Sequence, residues 1–278
     1  MEFIKKQSNK ILLSAGAVAL LLGGYYYLKH SKKPIAQQYS PQQDVSANAS
    51  YMFVKDDKYN NLIQKLKPIV ESELQVGDLS KQTIITINQA VIHVFKSEYT
   101  RILLEGRRIR RKYLDNIETY VREFMKYSTE AEKLMENASL EVLKDLDISM
   151  EAYERSSEKI MQADPNFAMF NLYMFESVKM QVPSDRSKVL TKNDLVNILK
   201  FQKDHYNEID LGNLDVGPEQ LIMIKQTYVS DKASFEFDYE EEDIMKNPSL
   251  MQDPEVMEVQ KELQNVMLSE QANMNYFG

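Results

Sequence analysis

The sequence predicts an all-α protein: one N-terminal transmembrane helix followed by a soluble bundle of long antiparallel helices. Three observations carry this expectation. Residues 11–28, reading ILLSAGAVALLLGGYYYL, hold no charge. Gly and Pro number eight each in 278 residues, too few for turn-dense β structure. From Tyr59 onward apolar residues recur at helical spacing, with no alternation of strand and helix patterns.

The apolar segment is the first element. Eighteen residues at a helical rise span roughly 27 Å, close to the hydrocarbon thickness of a bilayer. Lys5, Lys6 and Lys10 flank it in a basic stretch over residues 1–10, and Lys29, Lys32 and Lys33 follow it. Tyr25, Tyr26 and Tyr27 sit at its C-terminal edge, where amphipathic rings settle at the headgroups. A cleaved signal would need a small-x-small site beyond the run, and here three tyrosines and a basic cluster follow instead. The segment therefore reads as a retained single-pass signal-anchor in contact with lipid. Ala15, Ala19 and Gly23 fall on one helix face and would let a second membrane helix approach closely. Three lysines on each side leave the orientation undecided.

Residues 29–56 are polar, carry two Pro and read as a tether. A helical domain is expected over 57–245. Its first helix covers about 57–75 on a face of Tyr59, Leu62, Ile63, Leu66, Ile69, Val70 and Leu74, with Pro68 as a kink point. A long pattern runs from 81 to about 136, with Gly106 as its expected interruption. Within it Ile117, Val121, Phe124, Ser128, Ala131, Met135 and Ala138 keep coiled-coil-like spacing. Another helix uses Leu140, Leu143, Leu146, Met150, Tyr153 and Ile160. Residues 166–180 are apolar nearly all round and read as the most buried helix. Thr191 and Asp194 form a capping box for a helix to about 208, and Pro218 opens a short one. Residues 234–243, SFEFDYEEED, fit either a short strand or an acidic linker. A last helix occupies the C-terminal segment, 246–278.

The chemistry is sparse. Cys is absent, which removes disulfides and thiolate ligands or nucleophiles, and the three His are far apart in sequence. No phosphate loop, zinc-protease motif or nucleophile elbow is found. Asp145-x-Asp147-x-Ser149 starts like a calcium loop but has Met150 where Gly is required. No catalytic set, metal site or cofactor is expected. The net charge of −8 opposes nucleic acid as a partner. One cluster stands out. Arg107, Arg108, Arg110, Arg111 and Lys112 lie within six residues. Three readings fit them: pairing with the chain's own acids, such as the 240–243 run; docking to an acidic partner protein; or contact with anionic lipid headgroups.

The C-terminal stretch Asp253-Pro254-Glu255-Val256-Met257, followed by Ala272-Asn273-Met274, resembles an STI1-type (DP) module of Hsp70/Hsp90 co-chaperones and of a membrane-anchored chloroplast import co-chaperone. The resemblance covers about 28 residues, and no tetratricopeptide repeats precede them. It implies a helix opening at Pro254, with Val256, Met257, Val259, Leu263, Val266 and Met267 as an apolar face for partner segments.

Two functions are expected from these features. The first is a non-catalytic accessory or scaffold subunit of an organellar membrane complex, with the mitochondrion favoured over endoplasmic reticulum or peroxisome. The second is a membrane-anchored adaptor or co-chaperone that binds apolar segments through its C-terminal helix.

Overall fold

A computed structural model describes residues 51–164, 166–179, 181, 188–209, 211, 218–245 and 247–276. The apolar segment 11–28, its Ala15/Ala19/Gly23 stripe, both lysine flanks and most of the tether lie outside the described residues. Among those described, every regular element is a helix, and none is long and apolar enough to cross a membrane. They are α1 Asp57–Val76, α2 Lys81–Arg110, a 3-10 turn Arg111–Tyr113, α3 Ile117–Asp145, α4 Met150–Ala163, α5 Asn166–Lys179, α6 Lys192–Tyr206, α7 Pro218–Phe237, α8 Glu241–Met245, a 3-10 turn Leu250–Gln252, and α9 Pro254–Tyr276. The described residues fall into two compact units. One takes residues 51–105 and 126–178; the other takes 106–125 and 188–276.

In the first unit, α1 starts on Asp56, whose carboxylate accepts from the Tyr59 amide at 2.9 Å. It runs through Pro68 and buries Tyr59, Leu66 and Val70. Gly77, at φ +149°, closes it, a conformation that needs no Cβ. The α2 face is deeply apolar, with Ile84, Ile87, Val91, Val94 and Phe95 all buried. The coiled-coil-like seam of α3 is inward in part: in this unit Ala131 and Ala138 are buried, but Tyr127 and Leu134 take the buried positions beside half-buried Ser128 and Met135. α3 ends where Asp147 adopts φ 56°, and the Ser149 hydroxyl caps α4 by accepting from the Ala152 amide.

The tether reading extends too far. Residues 51–56 lie along α2 and α3 rather than free. Val54 N–H donates to the Val94 carbonyl at 3.1 Å. Lys55 Nζ reaches Glu141 at 3.0 Å and Asp145 at 2.7 Å, and the Tyr59 hydroxyl donates to the same Asp145 oxygen at 2.6 Å. His93 Nε2 sits 2.9 Å from the capping carboxylate of Asp56. Asp145 and Asp147, the first two positions of the rejected calcium loop, instead pair with Lys55 and Lys67.

Three further expectations are corrected. Gly106 does not interrupt the long pattern; it is buried inside α2, and the break falls at 111–116, where Asn116 caps α3 by accepting from the Thr119 amide. α5 is not the most buried helix. It buries Phe167 and Val178 but leaves Met169 and Phe170 45% and 43% exposed. Among its described side chains the all-round apolar pattern overstated burial, since Met169 and Phe170 face outward. Residues 234–243 form neither strand nor linker. α7 continues to Phe237, Asp238 turns at φ 50°, and Tyr239 enters the core ahead of α8.

The second unit is built on three packed clusters. Tyr120, Val121 and Phe124 of α3 meet Met223, Ile224 and Tyr228 of α7. Leu195, Val196 and Leu199 of α6 meet Val256, Val259 and Leu263 of α9. Leu190, Ile198, Ala233 and Tyr239 complete the third. The capping box is present in both directions, Thr191 Oγ1 accepting from the Asp194 amide and the Asp194 carboxylate from the Thr191 amide.

Candidate functional site

The basic run lies in the second unit, at the end of α2. Its residues separate by helical angle. Positions 107, 110 and 111 fall on one arc at i, i+3 and i+4; positions 108 and 112 lie on the next arc round. The structure follows this division. Arg107, Arg110 and Arg111 turn inward, and Arg108 and Lys112 are exposed.

The three inward guanidinium groups meet three carboxylates. Arg111 grips Glu240 with both terminal nitrogens, at 2.7 and 2.9 Å, and its Nε lies 3.0 Å from Asp231. Arg107 grips Glu242 at 2.8 and 2.9 Å and reaches Glu240 at 2.9 Å. Arg110 Nε is 3.1 Å from Asp231, and its guanidinium lies over the Phe124 ring. The Tyr120 hydroxyl donates to Asp231 at 2.7 Å. Asp231 is 3% exposed, so its charge is tenable only because these partners surround it. Burial would raise its pKa, yet Arg110 and Arg111 outweigh burial and hold the carboxyl below its ordinary value. Burial and the Asp231 charge both push the Tyr120 hydroxyl well up, so it stays a donor.

Local structure places each partner. Asp231 lies on the α7 stripe that carries Ile224 and Tyr228, at i+7 and i+3 from them. Glu240 immediately precedes α8 and Glu242 lies in its first turn. Asp243 accepts from the Glu240 amide at 2.9 Å and so fixes that turn. These acids are therefore buried rather than a solvated run, with Glu240 and Glu242 9% and 7% exposed. The arrangement pairs charges and leaves no carboxylate of the three without a guanidinium. Among the described residues no group of three or more His, Asp or Glu is arranged to hold a metal ion.

Asp231 and Tyr120 were not among the sequence candidates. The signal was present. Ile224, Tyr228 and Asp231 share one apolar stripe, and a lone carboxylate on such a stripe demands a buried partner.

The C-terminal helix opens at Pro254, with Asp253 accepting from the Glu255 amide at 3.0 Å. Its apolar face is only partly the expected one. Val256, Val259 and Leu263 are buried against α6, Val266 and Met267 are half-buried, and Met257 points away at 49% exposure. An open polar cleft of about 540 Å³ lies beside this contact, lined by Lys203, Asp204, Asn207, Glu262, Asn265 and Val266. Lys203 and Glu262 bridge it at 2.8 Å. Comparison of the chain with protein-family models, with curated protein sequences and with solved structures finds no match.

Proposed function

We propose that the protein is a single-pass, N-terminally anchored accessory or scaffold subunit of an organellar membrane complex, with the mitochondrion as its first compartment. The observation that carries the reading is the uncharged, lysine-flanked and tyrosine-bordered segment 11–28. The helical part supports it. Its densest set of ionisable side chains is occupied by internal pairing, as suits a structural element rather than a reaction centre. Residues 51–56 follow a fixed path along the helical part, so the proposed tether covers 29–50 rather than 29–56.

Alkaline carbonate extraction with organelle fractionation tests this. The full chain is expected in the membrane pellet of mitochondria, and a variant lacking residues 11–28 in the supernatant. Full-length protein released by carbonate would contradict anchorage.

A second reading, an adaptor that captures apolar segments, draws on the opening of α9 at Pro254 and on exposed Met257. Because Val256, Val259 and Leu263 already pack on α6, such capture would have to displace that contact. Crosslinking of an apolar peptide to residues 256–267 in the full chain would favour it.

A further inference from the structure

We propose that Arg108 and Lys112 form the docking contact for an acidic segment of a partner protein. The inference rests on the scaffold reading and identifies which part of its surface engages a neighbour. Five basic side chains in six residues are more than the internal acids engage. Arg107, Arg110 and Arg111 balance Asp231, Glu240 and Glu242. Arg108 and Lys112 are exposed, and among the described residues neither has a carboxylate within ion-pair distance. They stand four residues apart, Arg108 in the last turn of α2 and Lys112 in the 3-10 turn that follows, with exposed Tyr113 next to Lys112. The base of this pair is rigid, because the residues between them, Arg110 and Arg111, are locked into the interior. A guanidinium fork and an ammonium raised on that held backbone suit two carboxylates of one short segment.

Charge elsewhere selects the partner. Residues 1–50 hold six lysines against Glu2 and Asp44, so the net charge of −8 rests wholly on the residues that follow. An anionic bilayer or a nucleic acid presents an extended negative surface, which the net negative charge of the residues after position 50 opposes. A short acidic segment meets only the local charges, Arg108 and Lys112 with exposed Asp115 three residues on, since charges beyond about 8 Å are screened at physiological salt.

The test uses the full chain in a mild neutral detergent with a fluorescein-labelled hexaglutamate peptide, read by anisotropy. Wild-type protein is expected to bind at low salt, and R108Q/K112Q to bind about five- to tenfold more weakly. The charge-reversed R108E/K112E should abolish binding. Unchanged thermal melting of R108Q/K112Q would show that folding is not the cause. Equal binding by wild type and R108Q/K112Q, or no binding by wild type, would overturn the proposal. So would retention on phosphatidylserine vesicles that depends on this pair while hexaglutamate binding does not. Native electrophoresis of R108Q/K112Q separates the two claims: pair-dependent peptide binding without any larger assembly in the wild type leaves the contact standing and removes the subunit reading.

Discussion

At the scale of single residues, the basic run divides by angle into structural and accessible halves. Removing one member of the buried set leaves buried charge undercompensated: without Asp231, Arg110 loses the carboxylate it reaches, and without Arg111, Asp231 and Glu240 each keep one guanidinium instead of two. Asp231→Asn or Arg111→Gln is expected to cost about 3–5 kcal/mol, whereas Arg108→Gln should stay within about 0.5 kcal/mol. Urea unfolding of the full chain in detergent, followed by circular dichroism, measures both. A double-mutant cycle between Asp231→Asn and Arg111→Gln should show strong coupling. The pH dependence has a defined sign. Asp231 is held below its ordinary pKa of 3.8 in the folded state, so its contribution is present above about pH 4 and is lost as pH falls through the lower folded value. The thermal midpoint should therefore drop below pH 4, and Asp231→Asn should flatten that part of the decline. Five basic residues within six positions announced a cluster, and spacing alone could have sorted them. Their partners were harder to read because they lie more than a hundred positions away, and only the fold brings Asp231 and Glu240 to α2.

At the scale of elements, most of the architecture was legible. The α3 seam, the Thr191–Asp194 box and the opening of α9 at Pro254 follow from local rules of periodicity and capping. The misreadings share a cause: tertiary contact overrode local pattern. The 240–243 acids, named as one possible partner of the arginine run, take that role at Glu240 and Glu242, while the strand-or-linker reading of their backbone fails because α7 runs on to Phe237. Gly106 read as a breaker, though α2 carries it buried within the helix. The capping box predicts that Thr191→Ala costs about 1 kcal/mol, as one amide loses its acceptor. Leu263 is 2% exposed in the α6–α9 contact, so Leu263→Ala should cost about 2–5 kcal/mol. Hydrogen exchange would show whether that loss frees α9 selectively, as expected if α6 is its main support.

At the scale of the whole molecule, the proposed reading gives placement to the apolar segment and contact to the helical units. The all-α class was legible because it depends on composition and repeated spacing along the chain. The division of the helical part into two units was not, since residues 106–125 in the middle of the sequence join the unit made by the C-terminal elements. The identity of the contacts made by a scaffold is likewise not written in motifs, because exposure decides which of several similar residues remains available. The central claim is that this chain is held in a membrane as part of a larger assembly. Native electrophoresis after gentle digitonin solubilisation tests it most directly. Migration in a discrete assembly far above the chain's own 32.4 kDa, lost when residues 11–28 are removed, is the expected result. Migration of the full-length protein as a free 32.4 kDa chain would contradict it.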